Sequence, residues 1–279
     1  MLPNDLQAWI GAEQIQHDVV TPSVLARLGA LLDHAEPDRP LNTVPPLGHW
    51  LFLLGATPQA ELAADGHPRL GKFLPPVSMS RRMWAAGELE FFAPIRVGDT
   101  LRRRSTIKSI DHKNGRSGDL VFVTLDHEVY TSSILAVRET QQLVYRDKPP
   151  SNAPPRDTSA SLPTPHWQRK IIPDPMLLFR FSALTFNSHR IHYDREYAVG
   201  VEGYPGLVVH GPLIATLLVD LFLLNHPNRN VTRFRFKAQE PLFDLDPFSI
   251  AGVSHYGSAQ LWAIRPDQRV AMTAELTYT

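Results

Sequence analysis

A short polar segment, FNSHRIHYDREYA at residues 186–198, contains the side chains of this sequence that are best suited to acid–base chemistry. His192 is the central candidate, because an imidazole exchanges protons near neutral pH. Asn187 stands five residues earlier and can form hydrogen bonds but cannot accept a proton. Asp194 follows two residues later and would either orient His192 or cap a turn. The segment therefore predicts a site in which His192 is the general acid or base and Asn187 lies beside it.

Less specific interpretations of the same segment stay open. Histidine is commonly a surface residue or a satisfied core residue, and Asn, Ser and Asp commonly cap helices. His189 and His192 are three residues apart and would share a helix face, but zinc sites usually need three or four ligands, and no carboxylate joins them at ligand spacing. We therefore predict no metal. Ser188 lacks the G-x-S-x-G surroundings of a hydrolase nucleophile.

The next segment, GYPGLVVHGPL at residues 203–213, adds a second chemical feature. Gly206 and Gly211 allow a substrate to approach the backbone closely. Gly211 begins an apolar helix, and the first amides of a helix point their N–H groups outwards at its partly positive end. Such amides would stabilise the negative charge that grows on a thioester oxygen during enolate formation. The alternative is a glycine-rich turn before a core helix. His210, which lies directly before Gly211, is grouped with His189 as a candidate substrate-binding residue.

The elements that must position these groups repeat in two halves. Each half is predicted to contain an apolar helix followed by antiparallel strands: SVLARLGALLDHAE and the strands after about residue 86, then the helix at about 211–225 and the strands that follow it. The Pro/Ser-rich segment 146–165 is typical of an extended linker. We therefore predict domains at 1–145 and 166–279. The predicted fold class is α+β, with an antiparallel sheet wrapped around a central helix in each half.

The composition excludes several classes of function. The 28 basic and 28 acidic side chains cancel, so no overall field attracts nucleic acid or an anionic membrane. The chain has no cysteine, which excludes disulfides, thiol nucleophiles and thiolate metal sites. The first residues do not resemble a signal peptide, and no apolar run reaches the roughly 18–20 residues needed to span a bilayer. We expect a cytoplasmic protein without nucleic-acid or membrane partners.

The stretch SALTFNSHRIHYDREYA, followed by YPGLVVHGPLIATLL, resembles the MaoC-like hydratases and dehydratases of the double hot-dog fold. Their motif, roughly S-G-D-x-N-P-I-H, has its catalytic histidine at His192, its catalytic aspartate at Asn187 and its Asn-Pro at His189-Arg190. A narrower resemblance is to hydroxyacyl-thioester dehydratase type 2 and the bacterial mesaconyl-C4-CoA and itaconyl-CoA hydratases, which have a similar FN-x-HRIHYD stretch. PPVSMSRRMWAAGELEFFAPIRVGD and VRETQQLVYRD look like the degenerate N-terminal hot-dog of that branch.

This resemblance implies hydration of an α,β-unsaturated acyl-CoA thioester, or the reverse dehydration. No separate cofactor is expected, because coenzyme A is part of the substrate. His192 would act as the base and then return a proton, and Asn187 would hold the water. Backbone N–H groups near Gly206 and Gly211 would hold the thioester oxygen. The other hypotheses are a thioesterase on the same fold and a non-catalytic acyl-CoA binder, and the fold alone does not choose between them.

Basic residues suggest which acyl group is bound. Arg190 would bind a carboxylate through two parallel hydrogen bonds, which favours a branched dicarboxylic substrate such as itaconyl-CoA or mesaconyl-CoA. The alternative is a structural ion pair of Arg190 with Asp194 or Glu196. On the strand TRFRFK, one face would present basic side chains to the phosphates of coenzyme A or to solvent: Arg233, Arg235 and Lys237. By analogy with such folds a homodimer is expected, although the two halves would also suffice alone.

Overall fold

The strands of this protein form one antiparallel sheet. A computed structural model describes residues 4–34, 42–115, 118–147 and 162–279. In chain order the strands are β1 (Glu13–Val19), β2 (Arg81–Phe91), β3 (Thr100–Gly115), β4 (Gly118–Thr131), β5 (Ile134–Arg146), β6 (Trp167–Ile171), β7 (Val231–Ala238), β8 (Phe248–His255), β9 (Ser258–Ile264) and β10 (Val270–Tyr278). Their order in the sheet is β1-β3-β4-β5-β2-β7-β10-β9-β8-β6. The α-helices are α1 (Pro22–Leu31), α2 (Pro175–Leu184) and α3 (Gly211–Asn225). No helix of the described ranges has the length and apolar character needed to cross a membrane.

The sheet has the internal symmetry that the sequence pattern predicts. The first half contributes the strands β1-β3-β4-β5-β2, and the second half contributes β6-β8-β9-β10-β7 in the mirrored order. The halves meet where β2 pairs antiparallel with β7, so the two sheets are joined rather than stacked. The first half ends its last strand at Arg146, and the second half begins its first strand at Trp167. Most of the predicted linker, at residues 148–161, lies outside the described residues, and the domain division stays a prediction.

The β-prone segment GELEFFAPIRVGDTLRRRSTIKSI, residues 87–110, is divided between two strands. β2 ends at Phe91 and β3 begins at Thr100. Pro94 lies between them and has no N–H to donate to a strand ladder. Gly98 has a φ of +89°, in the region that favours glycine. The chain therefore turns between these residues and returns antiparallel at the other side of the half-sheet.

Helix α3 forms the core of the second half. All of its residues from Leu213 to Leu223 are buried, as expected for a helix that is apolar around its whole circumference. Asp220 lies within this stretch, and its carboxylate oxygens lie 2.8 Å from His34 Nε2 and 3.0 Å from Arg169 Nη2. A buried charge with such partners is compensated. These contacts connect α3 to the segment after α1 and to β6.

Gly87 allows the two half-sheets to pack closely where they join. It lies opposite Phe236 in the β2–β7 pair, and the Phe236 ring is fully buried. A Cβ atom added at Gly87 would lie 2.4 Å from Cε1 of that ring. The absence of a side chain at residue 87 therefore makes room for an aromatic ring from the other half.

We expect Gly87→Ala to lower the free energy of unfolding by about 1–3 kcal/mol, because the buried ring must move to admit a methyl group. Urea denaturation measures the change. Gly200→Ala is a matched control, since a Cβ at Gly200 meets no described atom within 4 Å. That variant should change stability by less than about 0.5 kcal/mol. Equal stability of the two variants would contradict a tight contact at the joint.

Candidate active site

A cleft of about 870 Å³ is lined by residues of both halves. From the second half it receives most of the candidate residues that the sequence singles out: Asn187, His189, His192, His210 and Gly211. From the first half it receives a further set of polar and aromatic side chains, which includes His67, Arg82, Trp84, Arg103 and His127. The predicted polar segment thus lies at a cavity that the two halves build together.

The turn after α2 directs the polar segment towards the cleft. Phe186 has a φ of +49°, which turns the chain back on the helix. The Asn187 N–H then donates to the Ser182 carbonyl at 2.8 Å. Asn187 Oδ1 accepts a hydrogen bond of 3.0 Å from the His189 N–H, and a 3₁₀ turn follows at Arg190–His192. Asn187 therefore shapes the loop as well as lining the cleft.

His192 is buried, and one hydrogen bond fixes its tautomer. Its Nδ1 lies 2.7 Å from the carbonyl oxygen of Val208. A carbonyl oxygen only accepts, so Nδ1 carries the proton, and Nε2 keeps the lone pair that a base requires. Burial lowers the pKa of His192 to about 4, against the opposing effect of the bond to Val208. The imidazole is therefore neutral at physiological pH and ready to accept a proton.

His210 stacks on the His192 ring. The ring centroids are 3.6 Å apart and the planes differ by 18°. His210 Nε2 lies 2.8 Å from Ser182 Oγ, and its buried Nδ1 has no hydrogen-bond partner among the described residues. Burial lowers the pKa of His210 well below its ordinary value. The stack therefore consists of two neutral imidazoles, and His210 holds the plane of the His192 ring.

A second group of side chains extends from His189 into the first half. The His189 ring lies edge-on to His192 at 5.3 Å between centroids, and it lies 3.9 Å from the ring of His67. Asp65 Oδ2 accepts a hydrogen bond of 3.0 Å from His67 Nδ1. Burial lowers the pKa of His189 to about 2 and also lowers the pKa of His67. Burial alone would raise the pKa of Asp65, but the hydrogen bond and charge of His67 hold it well below its usual range.

Backbone contacts lock the loop that carries Asp65 and His67 onto the polar segment. The Ser188 hydroxyl donates to the Gly66 carbonyl, and the Arg190 N–H donates to the Asp65 carbonyl at 2.9 Å. Gly66 has a φ of +89°, and a Cβ there would lie 1.8 Å from the Ser188 carbonyl oxygen. Only glycine fits at this position. The sequence analysis missed Asp65 and His67, whose only local signal is the turn-forming Asp-Gly pair.

Asp65, His67 and His189 offer ligand atoms that all lie within 4.8 Å of one another. This set differs from the His189–His192 pair, which the sequence analysis considered as a metal site and did not favour. The charge of Arg82 contributes to the lowered pKa of both His67 and His189. The same positive charge opposes the binding of a cation. The expectation that the site contains no metal stays a prediction.

The N-terminal end of α3 meets the cleft at Gly211. The Gly211 N–H donates no hydrogen bond within the described ranges, and the next residue, Pro212, has no N–H. A free amide at the partly positive end of a helix is suited to a developing oxyanion. A Cβ at Gly211 would lie 3.8 Å from the Trp84 carbonyl oxygen. A larger side chain at this position would therefore fill the gap between α3 and β2.

Two of the predicted substrate-binding residues lie away from the cleft lining. The Arg190 guanidinium donates to Asp194 Oδ2 at 2.8 Å and lies 4.1 Å from the centroid of the Tyr197 ring. The structure therefore shows the alternative role, an ion pair with Asp194. Gly206 packs against Asp244, whose Oδ1 would lie 2.6 Å from an added Cβ. Gly206 thus makes room for a carboxylate of its own chain, and its amide does not line the cavity.

The three basic residues of β7 share an exposed face, as strand alternation predicts. Arg233 pairs with Glu88, and Arg235 pairs with Glu275 at 2.8 Å. These two side chains are therefore engaged on the outer face of the sheet and do not line the cleft. Lys237, near the end of the strand, does line it. Of the three residues predicted to contact coenzyme A phosphates, Lys237 is therefore the one that lines this cleft.

The family described as hydroxyacyl-thioester dehydratase type 2 matches residues 47–244. Mesaconyl-C(4)-CoA hydratase of Chloroflexus aurantiacus is 44% identical to this chain over 273 residues, which cover 97% of this chain and 96% of that protein. The chain belongs to the hydroxyacyl-thioester dehydratase type 2 family. It is an enzyme of the hydro-lyase class, and the resemblance inferred from residues 182–198 and 204–218 is confirmed.

Solved structures with low sequence identity share the fold. HtdX of Mycobacterium tuberculosis has a TM-score of 0.68 at 18% identity and covers 95% of this chain and 98% of its own. A conserved hypothetical protein of the same organism, described as having a double hot-dog fold, has a TM-score of 0.56 at 14% identity and covers 97% of this chain and 96% of its own. The predicted α+β double hot-dog fold is therefore confirmed.

Protonation of the buried imidazoles should destabilise this family member in acid. Burial lowers the pKa of four buried histidines: His127, His189, His192 and His210. In the unfolded chain these groups protonate near their ordinary pKa of about 6.5. Below that pH the unfolded state therefore binds more protons than the folded state. The contribution of these groups to the free energy of unfolding is fully present above about pH 7 and is lost as the pH falls towards about 4.

We expect the free energy of unfolding to fall by at least about 1 kcal/mol per pH unit between about pH 6 and pH 4.5. Urea denaturation across this range checks the slope. A His127→Gln variant should show a shallower slope, because it removes one of the contributing groups. His255 is exposed, and a His255→Gln variant should leave the slope unchanged. A flat profile for the unmodified protein would contradict the prediction.

Proposed function

We propose that the protein adds water across the double bond of an α,β-unsaturated acyl-CoA thioester, or catalyses the reverse dehydration, with His192 as the acid–base residue. The hydrogen bond from His192 Nδ1 to the Val208 carbonyl carries this proposal. It leaves a neutral imidazole with a basic Nε2 in the same cleft as the free amide of Gly211. A base and an oxyanion donor at one cavity are the two groups that the reaction needs.

Hydration requires that water lose a proton as its oxygen attacks Cβ and that Cα gain one. Nε2 of His192 takes the proton from water and returns a proton to Cα. As the enolate forms, negative charge grows on the thioester oxygen, and the Gly211 N–H at the positive end of α3 stabilises it. Asn187 Oδ1 already accepts from the His189 N–H, and its second lone pair can accept from the attacking water. Asn187 thus orients the water while His192 transfers the protons.

The charge of the cleft supports an anionic thioester as the substrate. In a chain of zero net charge, the lining contains an excess of basic side chains: Arg69, Lys72, Arg82, Arg103, Lys113, Arg146 and Lys237, against Glu61 and Glu240. Such an excess attracts the phosphates of coenzyme A. Coenzyme A would arrive with the acyl group, so we expect no separate cofactor.

We infer that the acyl group is a branched dicarboxylic one, as in mesaconyl-CoA or itaconyl-CoA. The relative at 44% identity carries the name of a mesaconyl-C(4)-CoA hydratase, which supports the mesaconyl group over the itaconyl group. The thioesterase and the non-catalytic binder receive no support from the family to which the chain belongs. An assay of crotonyl-, mesaconyl- and itaconyl-CoA tests the acyl group through the loss of the enoyl absorbance.

Replacing the proposed base should abolish most of the activity. We expect His192→Ala to reduce kcat/KM for the best substrate of that panel at least about 100-fold, because a positioned acid–base residue contributes roughly 10²–10⁴-fold. His255→Ala, at an exposed position of β8, is the matched control and should keep the full rate. Near-normal activity of His192→Ala would exclude His192 as the base. Release of free coenzyme A by the unmodified protein would indicate a thioesterase.

Asn187→Asp should be tolerated, because a carboxylate can still accept from the His189 N–H and from water. We expect kcat/KM to stay within about 10-fold of the starting value, whereas Asn187→Ala, which removes both hydrogen bonds, should lose about 100-fold. Both are measured in the same absorbance assay. Complete loss in the Asp variant would show instead that Asn187 acts as a hydrogen-bond donor.

A further inference from the structure

Two adjacent arginines at the start of β2 have different surroundings. Arg81 Nε donates to Glu202 Oε2 at 3.0 Å, and its guanidinium lies 4.5 Å from the centroid of the Tyr204 ring. Since successive side chains of a strand point to opposite faces, Arg82 points the other way. Arg82 lines the cleft, and no Asp or Glu of the described ranges forms an ion pair with it. The cleft thus contains a half-buried guanidinium whose charge is not neutralised.

Arg82 stands on the wall that carries the reacting groups. The same strand face carries Trp84, whose carbonyl oxygen lies 3.8 Å from a Cβ built on Gly211. Two residues along a strand cover about 7 Å, so Arg82 is one such step from the proposed oxyanion site. Arg82 lines the same cleft as His67 and His189, and its charge contributes to the lowered pKa of both imidazoles. A substrate held at Gly211 and His192 would therefore share this cleft with the Arg82 guanidinium.

We propose that Arg82 binds the second carboxylate of a dicarboxylic acyl thioester. The inference rests on the proposed function and specifies its substrate class. In 3-methylfumaryl-CoA, the mesaconyl-C4 thioester, this carboxylate is attached to Cβ, the carbon that water attacks. It would therefore lie beside the carbon at which His192 acts, in the cleft that Arg82 and His189 also line. A guanidinium matches a carboxylate through two parallel hydrogen bonds.

Other arginines near the cleft are already engaged. Arg190, which the sequence suggested for this role, pairs with Asp194 at 2.8 Å. Arg103 donates to the Leu53 carbonyl at 3.0 Å and to Gln16. Arg82 has no carboxylate partner in the described chain, and it lies on the β2 wall that meets Gly211.

The first test compares two substrates. Arg82→Gln should lower kcat/KM for 3-methylfumaryl-CoA about 100-fold or more, and should change that for crotonyl-CoA, which has no carboxylate, less than about 3-fold. Arg82→Lys keeps the charge but not the planar pair of donors, so we expect an intermediate loss of about 10-fold on 3-methylfumaryl-CoA alone. An equal loss on both substrates would overturn the proposal, because Arg82 would then act on the fold or on the coenzyme A portion.

Arg69→Gln is the matched control for the general field of the cleft. Arg69 also lines the cavity, but it is exposed and its Nε donates to the Leu62 carbonyl at 3.3 Å. Removing its charge should lower kcat/KM for the two substrates by the same factor, because both substrates carry the coenzyme A phosphates that the basic lining attracts. Selective loss of 3-methylfumaryl-CoA in this variant, with none in Arg82→Gln, would assign the carboxylate to Arg69 and overturn the proposal.

Binding measurements separate this inference from the proposed reaction. 3-Methylsuccinyl-CoA, called methylsuccinyl-CoA below, and isovaleryl-CoA have no double bond and cannot be hydrated. They differ only by a carboxylate in place of a methyl group. Calorimetry should show that the unmodified protein prefers methylsuccinyl-CoA about 100-fold and that Arg82→Gln binds both equally. This result would support the carboxylate site even if no enoyl-CoA were hydrated, in which case only the proposed function would fail. Equal affinities in the unmodified protein would overturn the site.

Discussion

The antiparallel pairing of β2 with β7 is the interaction on which the site depends. It joins two half-sheets edge to edge, with Gly87 making room for Phe236 at the contact. The pairing also places Trp84 of the first half against Gly211, the first residue of α3. The proposed base His192 and the amide of Gly211 come from the second half, while one wall of the cavity comes from the first. A half alone would present His192 in an open groove without that wall.

The site also depends on the burial of several imidazoles in one place. Burial penalises the charged form of each ring, and this keeps His192, His189 and His210 neutral. A general base must be unprotonated to act, so the burial that is expected to lower stability in acid would also keep the proposed base His192 in its active form. The bond from His192 to Val208 then decides which nitrogen carries the proton. Environment sets the protonation state, and a single carbonyl sets the tautomer.

The sequence was most informative where function depends on local pattern. Helix α3 was predicted from its continuous apolar run, and Gly211 from its position before that run. His192 was predicted from chemistry and from the resemblance of its surroundings, and the structure places it with Gly211 at one cleft. Strand alternation predicted the shared face of the basic residues on β7, although it did not show that Arg233 and Arg235 are paired with neighbouring glutamates.

Contacts between the halves were beyond such patterns. Asp65 and His67 lie more than a hundred residues before His189, and nothing in their local sequence indicates that they pack against it. The sequence left two roles open for Arg190, and only the structure shows that its guanidinium pairs with the acidic residue four positions later. The short strands β1 and β6 have weak local signals because pairing with β3 and β8 defines them.

The contact between Gly66 and Ser188 has a consequence for how such a protein can change during evolution. Because the two backbones touch, the loop of the first half and the polar segment of the second fit each other as surfaces do in an obligate complex. Exchanging one half for that of a distant relative would bring together loops that were never selected as partners. The chimaera could retain both sheets and still misplace His189. Descent should therefore preserve the two segments as a matched pair, inherited together although they are far apart in the chain.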